Sequence, residues 1–412
     1  MTDLAQLGSQ PELCVDDETR VAHWPAVFSL AFGVFGLVTA EFLPVSLLTP
    51  MAADLGVSNG AVGQAITATA VVAAFAGPLL VLGSGRIDRR SIVWTLMALL
   101  AVSSVLSAYA SSITTLLFAR ALLGFALGGF WAMMTALALR LVPSKDVPRA
   151  MSIIIMGVSL ATVVAAPLGA ALGALWGWRA TFLAASALGL VSLLVQLMVL
   201  PRLPSAGAPR LSAFRTALSR RAVLIGLVTI LIVVSGHFAG FTFIRPFLEE
   251  VPRLGVSAIS MTLLAFGVGG FLGNVVSGKI AARSPAWAVG SVALLIGAAT
   301  LALVLLGASP TAAAVGTAVW GFAFGGFPVA VSIWNARAAP DLAEAAGALL
   351  SSSFQVAIAS GAVVGGILVD GMGPTGVIVY SCAAVIVGAA VMLTLGRASE
   401  RARGTGAPLS SS

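Results

Sequence analysis

Residues 113–142, ITTLLFARALLGFALGGFWAMMTALALRLV, are thirty consecutive positions with a single charge, Arg120, before Arg140 at the end. A bilayer core about 30 Å thick is crossed by roughly 20 apolar residues in a helix, so the stretch reads as a transmembrane helix. Its middle is repeated. Gly124-Phe125-Ala126-Leu127-Gly128-Gly129-Phe130 recurs as Gly321-Phe322-Ala323-Phe324-Gly325-Gly326-Phe327, six of seven positions identical at an offset of 197. A second echo supports duplication: Ser84-Gly85-Arg86-Ile87-Asp88-Arg89-Arg90 matches Ser277-Gly278-Lys279-Ile280-Ala281-Ala282-Arg283 at four positions, with one basic exchange.

Working outward, eleven more apolar stretches lie at 26–49, 60–82, 91–110, 149–173, 180–200, 222–247, 258–280, 286–307, 311–335, 347–369 and 375–395. They are long, continuous and rich in Leu, Ala and Val, without the ten-residue alternation of a membrane barrel. The expected fold class is therefore an all-α integral membrane protein of twelve transmembrane helices in two pseudo-symmetric six-helix bundles. Its parts are a cytosolic N-terminal tail at 1–25, a bundle at 26–200, a cytosolic linker at 201–221, a second bundle at 222–396 and a cytosolic tail at 397–412. The linker holds Pro201, Pro204 and Pro209 with five arginines. Overall, 59% of the 412 residues are hydrophobic and 9% charged, where soluble domains carry about 25% charged residues.

The net charge of +7 suggests nucleic acid only until the basic residues are placed. With both termini inside, 18 of 22 fall in inner tails and loops, Arg179, Arg245 and Arg253 fall outside, and Arg120 alone lies within a span. Topology accounts for the charge, and no nucleic-acid partner is expected. Residues 1–24 carry five acids against one Arg, which argues against a cleavable signal peptide. Cys14 and Cys382 are too few and too far apart for a disulfide framework or a metal site.

Duplicated helical halves generally enclose a solute site near the mid-membrane, and rocking one half against the other exposes it to each side in turn. Within that site Glu41 is the first candidate, because an ionisable group at such depth costs about 2.5–3.5 kcal/mol unless paired or hydrated. From the outer helix ends, Glu41 lies roughly 12 Å deep and Arg120 roughly 10 Å deep. Burial and a neighbouring guanidinium act on the carboxylate in opposite senses, which suits a group that takes and loses a proton; a fixed ion pair is the structural alternative. Thr317 stands in the second half where Arg120 stands in the first.

Asp88, Arg89 and Arg90 sit at the inner mouth of the second span, as solvated charge or as a cytoplasmic gate in which Asp88 locks onto a neighbouring helix. Gly157, Ala166, Pro167, Gly169 and Gly173 thin the fifth span, the pattern of close helix packing. Gln64, Trp131, His237, Asn274, Trp320, Trp334, Asn335 and Gln355 are mid-span polar or aromatic candidates for solute contact; each can equally serve helix packing. His237 has no partner at ligand spacing, and no metal is expected.

These residues resemble the major facilitator superfamily, specifically its twelve-helix drug/proton antiporter branch. Arg120 with Gly124 is similar to the branch's fourth-helix motif, Gly157 with Ala166-Pro167 to its fifth-helix motif, and Asp88-Arg89-Arg90 to its loop after the second helix. Ser84 and Ser91 stand where glycines are common in that loop, and Ala166 replaces a glycine. The strings 41–51, EFLPVSLLTPM, and 127–133, LGGFWAM, together with Arg140-Leu141-Val142-Pro143, resemble a subgroup of bacterial purine ribonucleoside exporters. The resemblance implies the major facilitator fold, and proton-coupled antiport of inosine-like nucleosides out across the bacterial inner membrane. It implies no cofactor beyond the proton gradient; the expected partners are a small-molecule substrate, protons and the lipid bilayer, and the expected state is a monomer. A drug or sugar exporter of the same branch is the alternative, and a non-transporting membrane receptor the alternative from another class. No Ser/His/Asp set, metal cluster or phosphate loop supports an enzyme.

Overall fold

The computed structural model describes residues 22–83, 87–203 and 211–404. Positions 1–21, Ser84 to Arg86, 204–210 and 405–412, including Cys14, Pro204 and Pro209, lie outside the described residues. The first four helices are α1 Trp24–Leu55, α2 Asn59–Gly83, α3 Arg89–Ala108 and α4 Ile113–Leu141. Val147–Val199 follows as a 53-residue stretch that would be about 80 Å long as one straight helix, far longer than a bilayer needs. Gly177, at φ 83° and ψ 161°, breaks it into α5 (147–176) and α6 (178–199). Only a residue without Cβ takes that conformation freely. The two arms fold back along α1: a Cβ at Gly157 would meet the Ala31 carbonyl, while Gln196 Nε2 donates to the nearby Ser29 carbonyl at 3.2 Å.

The second half repeats the plan with α7 Arg221–Thr242, α8 Val256–Arg283, α9 Pro285–Leu306 and α10 Pro310–Ala338. Ala343–Val391 is the counterpart of the long fifth helix, broken at Gly373 (φ 72°, ψ 175°) into α11 (343–372) and α12 (374–391). Ten described helices are long and apolar enough to span a membrane; two are double-length, and their glycine breaks make twelve spans.

The duplicated motif is a packing device. In α4, a Cβ at Gly124 or Gly128 would land on the backbone of Thr69 or Ala73 in α2; in α10, one at Gly321 or Gly325 would land on Phe266 or Gly270 in α8. The contacted residues are themselves 197 apart, as are Ser112 and Ser309, whose side chains cap the N-termini of α4 and α10. Small residues that bring backbones together replace the hydrophobic force that lipid cannot supply.

Two expectations change. The span expected at 222–247 stops at Thr242 and resumes as a short helix, Ile244–Glu250, because Pro246 has no N–H to offer the Thr242 carbonyl and its ring crowds that position. The linker contains an eight-residue helix, Leu211–Leu218. On the face where Trp24 and Gly404 lie, side-chain contacts tie the second half to itself and to the linker. Arg220 donates to both oxygens of Asp341 at 2.6 Å, which holds the Asp341 carboxyl below its usual range and raises the guanidinium, and Ser284 donates to Glu400 at 2.8 Å.

Candidate functional site

The site is organised by two prolines in α1. A proline inside a helix has no N–H for the carbonyl four residues earlier and crowds that turn. Pro44 thus frees the Ala40 carbonyl and Pro50 frees that of Ser46. Each is taken by an arginine from elsewhere. Arg120 of α4 donates from Nη1 to the Ala40 carbonyl at 2.8 Å and from Nη2 to the Glu41 carbonyl at 3.1 Å. Arg245, in the short helix after α7, donates from Nη1 to the Ser46 carbonyl.

This overturns the fixed ion pair considered for Glu41 and Arg120. The guanidinium serves the backbone of α1, and no hydrogen bond or ion pair to the Glu41 carboxylate occurs among the described residues, although that side chain is buried at 8% exposure. Because the guanidinium lies against the Glu41 backbone, its charge reaches the carboxylate without a direct contact. Helix α1 also runs six residues past the expected end at 49, to Leu55, so Glu41 sits near mid-helix. Thr69 Oγ1 holds the Arg120 carbonyl at 3.2 Å, and Arg120 itself is 1% exposed.

Across the interface from Glu41 lies an aromatic cluster of the second half. Phe42 stacks on Phe238 with centroids 6.3 Å apart and meets Phe241 edge-on at 6.2 Å. Behind them His237 stacks on Phe324 at 3.3 Å and on Phe241 at 5.4 Å, and Trp320 Nε1 donates to its Nδ1 at 3.0 Å. The structure therefore pairs Arg120 with the backbone at Glu41 in the first half and Trp320 with His237 in the second, and Phe42, next to Glu41 in the chain, packs on the rings around His237.

Others fall elsewhere. Trp334 Nε1 donates to the Ala222 carbonyl at 2.9 Å and Asn335 Nδ2 to that of Ala346 at 2.8 Å, so both tie helices within the second half. Gln64 donates to the Gly60 carbonyl at 3.3 Å and packs at Gly366, where α2 meets α11. Trp131 and Asn274 are half-buried on α4 and α8; Gln355 is buried on α11, its Oε1 unpartnered. Asp88 caps α3 by accepting from the Arg90 N–H at 2.9 Å and also accepts from the Leu203 N–H at 3.0 Å. In this state it binds backbone of α3 and of the linker. Arg89 is buried, and Arg90 lies over the Trp94 ring at 4.6 Å. Gly157, Gly169 and Gly173 press α5 onto Ala31, Ser46 and Leu47 of α1, with Pro167 buried between them.

A contact set that the sequence reading missed joins the halves on the face opposite the described chain ends. Thr49 donates to Glu249 at 2.6 Å, Glu249 accepts from Arg245 Nε at 2.7 Å, and Asp370 of α11 accepts from Ser58 Oγ at 2.6 Å and from the Gly60 N–H at 3.0 Å. Asp370 thereby caps α2 from the other half, where the helix dipole favours an anion. The one signal available in the sequence was Pro50, which announces a carbonyl in need of a donor but not the residue that supplies it.

The Major Facilitator Superfamily model matches residues 30–348. The chain belongs to that superfamily. Its relatives include the purine ribonucleoside efflux pump NepI of Salmonella paratyphi B, 42% identical over 351 residues covering 85% of this chain and 88% of the relative. NepI of Shigella dysenteriae serotype 1 is 41% identical over 359 residues, covering 87% and 91%. Among solved structures, a bacterial homologue of the human lysosomal transporter Spinster, captured inward-facing and unoccupied, superposes with TM-score 0.74 at 17% identity, covering 92% of this chain and 98% of that one. The human organic anion transporter TETRAN gives 0.65 at 17% identity, covering 90% and 100%. This superfamily member is a multi-pass membrane transporter of small molecules and not an enzyme.

Proposed function

We propose that this protein exports purine ribonucleosides such as inosine across the bacterial inner membrane in exchange for protons, with both termini in the cytosol. The observation that carries the reading is Glu41: a buried carboxylate with no hydrogen-bond or ion-pair partner among the described residues, one residue from the aromatic ring that bridges the halves. A buried charge without a partner persists where function requires its protonation to change. The relatives named for nucleoside efflux support the substrate class, and flat aromatic faces beside the carboxylate suit a purine. With the termini cytosolic, the Arg245, Glu249 and Asp370 contacts close the outer face, and the solute enters from the cytosol. Outward opening then breaks them and gives Glu41 access to external protons. Arg120 keeps its place on α1 throughout, and Asp88, Arg89 and Arg90 brace the inner end of α3.

Reconstitution into liposomes with an imposed pH gradient tests this, using inosine, guanosine, adenosine, arabinose and a cationic dye. Wild-type protein is expected to concentrate nucleosides uphill and Glu41→Gln to carry them downhill only. Uphill transport by Glu41→Gln equal to the parent removes Glu41 from the coupling step, and movement of the dye with no nucleoside removes the purine reading.

A further inference from the structure

The imidazole of His237 is 1% exposed and is held on three sides by named groups. Phe324 covers one face at 3.3 Å with the rings 4° from parallel, Phe241 stacks at 5.4 Å, and Phe238 meets it edge-on at 4.9 Å. The Trp320 indole fixes its protonation pattern. An indole N–H can only donate, so Nδ1, which receives it at 3.0 Å, carries no hydrogen. The cationic form would set two donors against each other, so the ring is neutral with its hydrogen on Nε2. Nε2 has no partner, and a buried donor without one calls for a reason. A helical hydroxyl such as Thr317 can fall back on the carbonyl one turn earlier, whereas an imidazole edge facing aromatic rings cannot. The cluster is capped from the opposite half by Phe42, so separation of the halves there uncovers it.

Resting on the nucleoside reading above, we propose that His237 is a specificity-determining donor of the solute site, presenting Nε2–H to an acceptor on the edge of a 6-oxopurine, with Trp320 as the residue that positions the proton. A 6-oxopurine offers two adjacent acceptors, N7 and O6, whereas a 6-aminopurine offers N7 beside an N–H donor that would oppose the imidazole. The site therefore selects inosine and guanosine over adenosine. Replacing Trp320 by Phe frees Nδ1 to take the hydrogen and lets Nε2 accept; Gln at 237 offers both an amide donor and a carbonyl acceptor. Both changes flatten the preference by different routes.

The test is the ratio of kcat/KM for inosine and adenosine in proteoliposomes, with thermal-shift titrations of the purified full-length protein giving the same ratio for variants whose flux is low. Wild type is expected to favour inosine by about tenfold, the scale of one mismatched buried hydrogen bond. His237→Gln and Trp320→Phe are expected to bring the ratio to about unity, while Phe266→Leu, which alters the cluster without touching a polar edge, weakens both solutes and keeps the ratio. A wild-type ratio at or below one, or a ratio unmoved by both His237→Gln and Trp320→Phe, overturns the assignment and leaves nucleoside export standing. Failure of wild type to move or bind either nucleoside overturns the export reading and this inference with it.

Discussion

If Arg120 is in place to fill the Ala40 carbonyl that Pro44 leaves open, the two residues are energetically coupled, and a double-mutant cycle measures the coupling. Arg120→Met keeps the length of the side chain and removes its donors, orphaning the Ala40 carbonyl now held at 2.8 Å and removing the second bond, at 3.1 Å, to the Glu41 carbonyl. The carbonyl left unpaired costs about 1–3 kcal/mol and loss of the second bond about 1–2 kcal/mol more, so the single change should destabilise by about 2–5 kcal/mol. Pro44→Ala restores the N–H of residue 44, which can then close on the Ala40 carbonyl as in any helix. In the parent that bond is largely redundant. In Arg120→Met it replaces one of the two lost, so the second substitution should be more favourable there by about 1–2 kcal/mol.

Unfolding free energies from SDS titration in mixed micelles, followed by the fluorescence of the eight tryptophans, give the four corners of the cycle. Transport should separate from stability. The double variant recovers part of its stability but not uphill export, because the charge acting on Glu41 is gone. A coupling within about 0.5 kcal/mol of zero would refute the carbonyl argument, since independent sites add to that tolerance.

Gly325→Ala should destabilise by about 1–3 kcal/mol in the same titration, because its Cβ lands on the backbone of Gly270, whereas Gly371→Ala, which meets nothing within 4 Å, should change little. Asp370→Asn weakens the cap on α2 across the halves; labelling of a cysteine placed at Gln64 should quicken by about tenfold as the face loosens, and an unchanged rate would show that other contacts hold it. The Arg220 to Asp341 pair should give a small, salt-screened effect. Hydrogen bonding holds the Asp341 carboxyl below its usual range, so its contribution is present at neutral pH and is lost as pH falls through the folded-state value. Melting curves of wild type and Asp341→Asn should converge in acid and in high salt.

Helix number and duplication were legible because lipid leaves the chain little choice: every backbone group must be satisfied within its helix, and each span needs a fixed length. The glycine repeat was legible as duplication, while its role at the crossings of α2 with α4 and of α8 with α10 shows only in the structure, because the helix it packs against is not encoded beside it. The break at Phe243 was hidden inside an apolar run, and Pro246 was the overlooked sign of it. Trp334 and Asn335 looked like site residues because polarity within a span is informative, but polarity alone does not say whether the partner is a solute or a carbonyl of a neighbouring helix. The interface contacts of Arg245, Glu249 and Asp370 were unreadable for a further reason: each joins residues about 200 or more positions apart, and nothing local in the sequence encodes that pairing.

The asymmetry between the halves follows from the same proline logic. Helix α1 carries Pro44, and α4, which packs beside it, carries Arg120; α7, the counterpart of α1, has no proline between Arg221 and Thr242, and α10 carries Thr317 in place of the arginine. The one carbonyl that a proline frees in α7, that of Thr242, lies at the helix end, so a cation at Thr317 in α10 would be buried with no mid-helix acceptor to meet it, at a cost the fold avoids. Arg120 is thus anchored by backbone rather than by Glu41, and this anchoring is what lets the carboxylate change charge without losing a partner on which the helix depends. In the proposed cycle, protonation of Glu41 alters the field at the α1 kink while the hydrogen bonds that shape the kink stay in place. A direct Glu41 to Arg120 ion pair would have tied the two events together, so that each proton taken up would leave the guanidinium short of an acceptor.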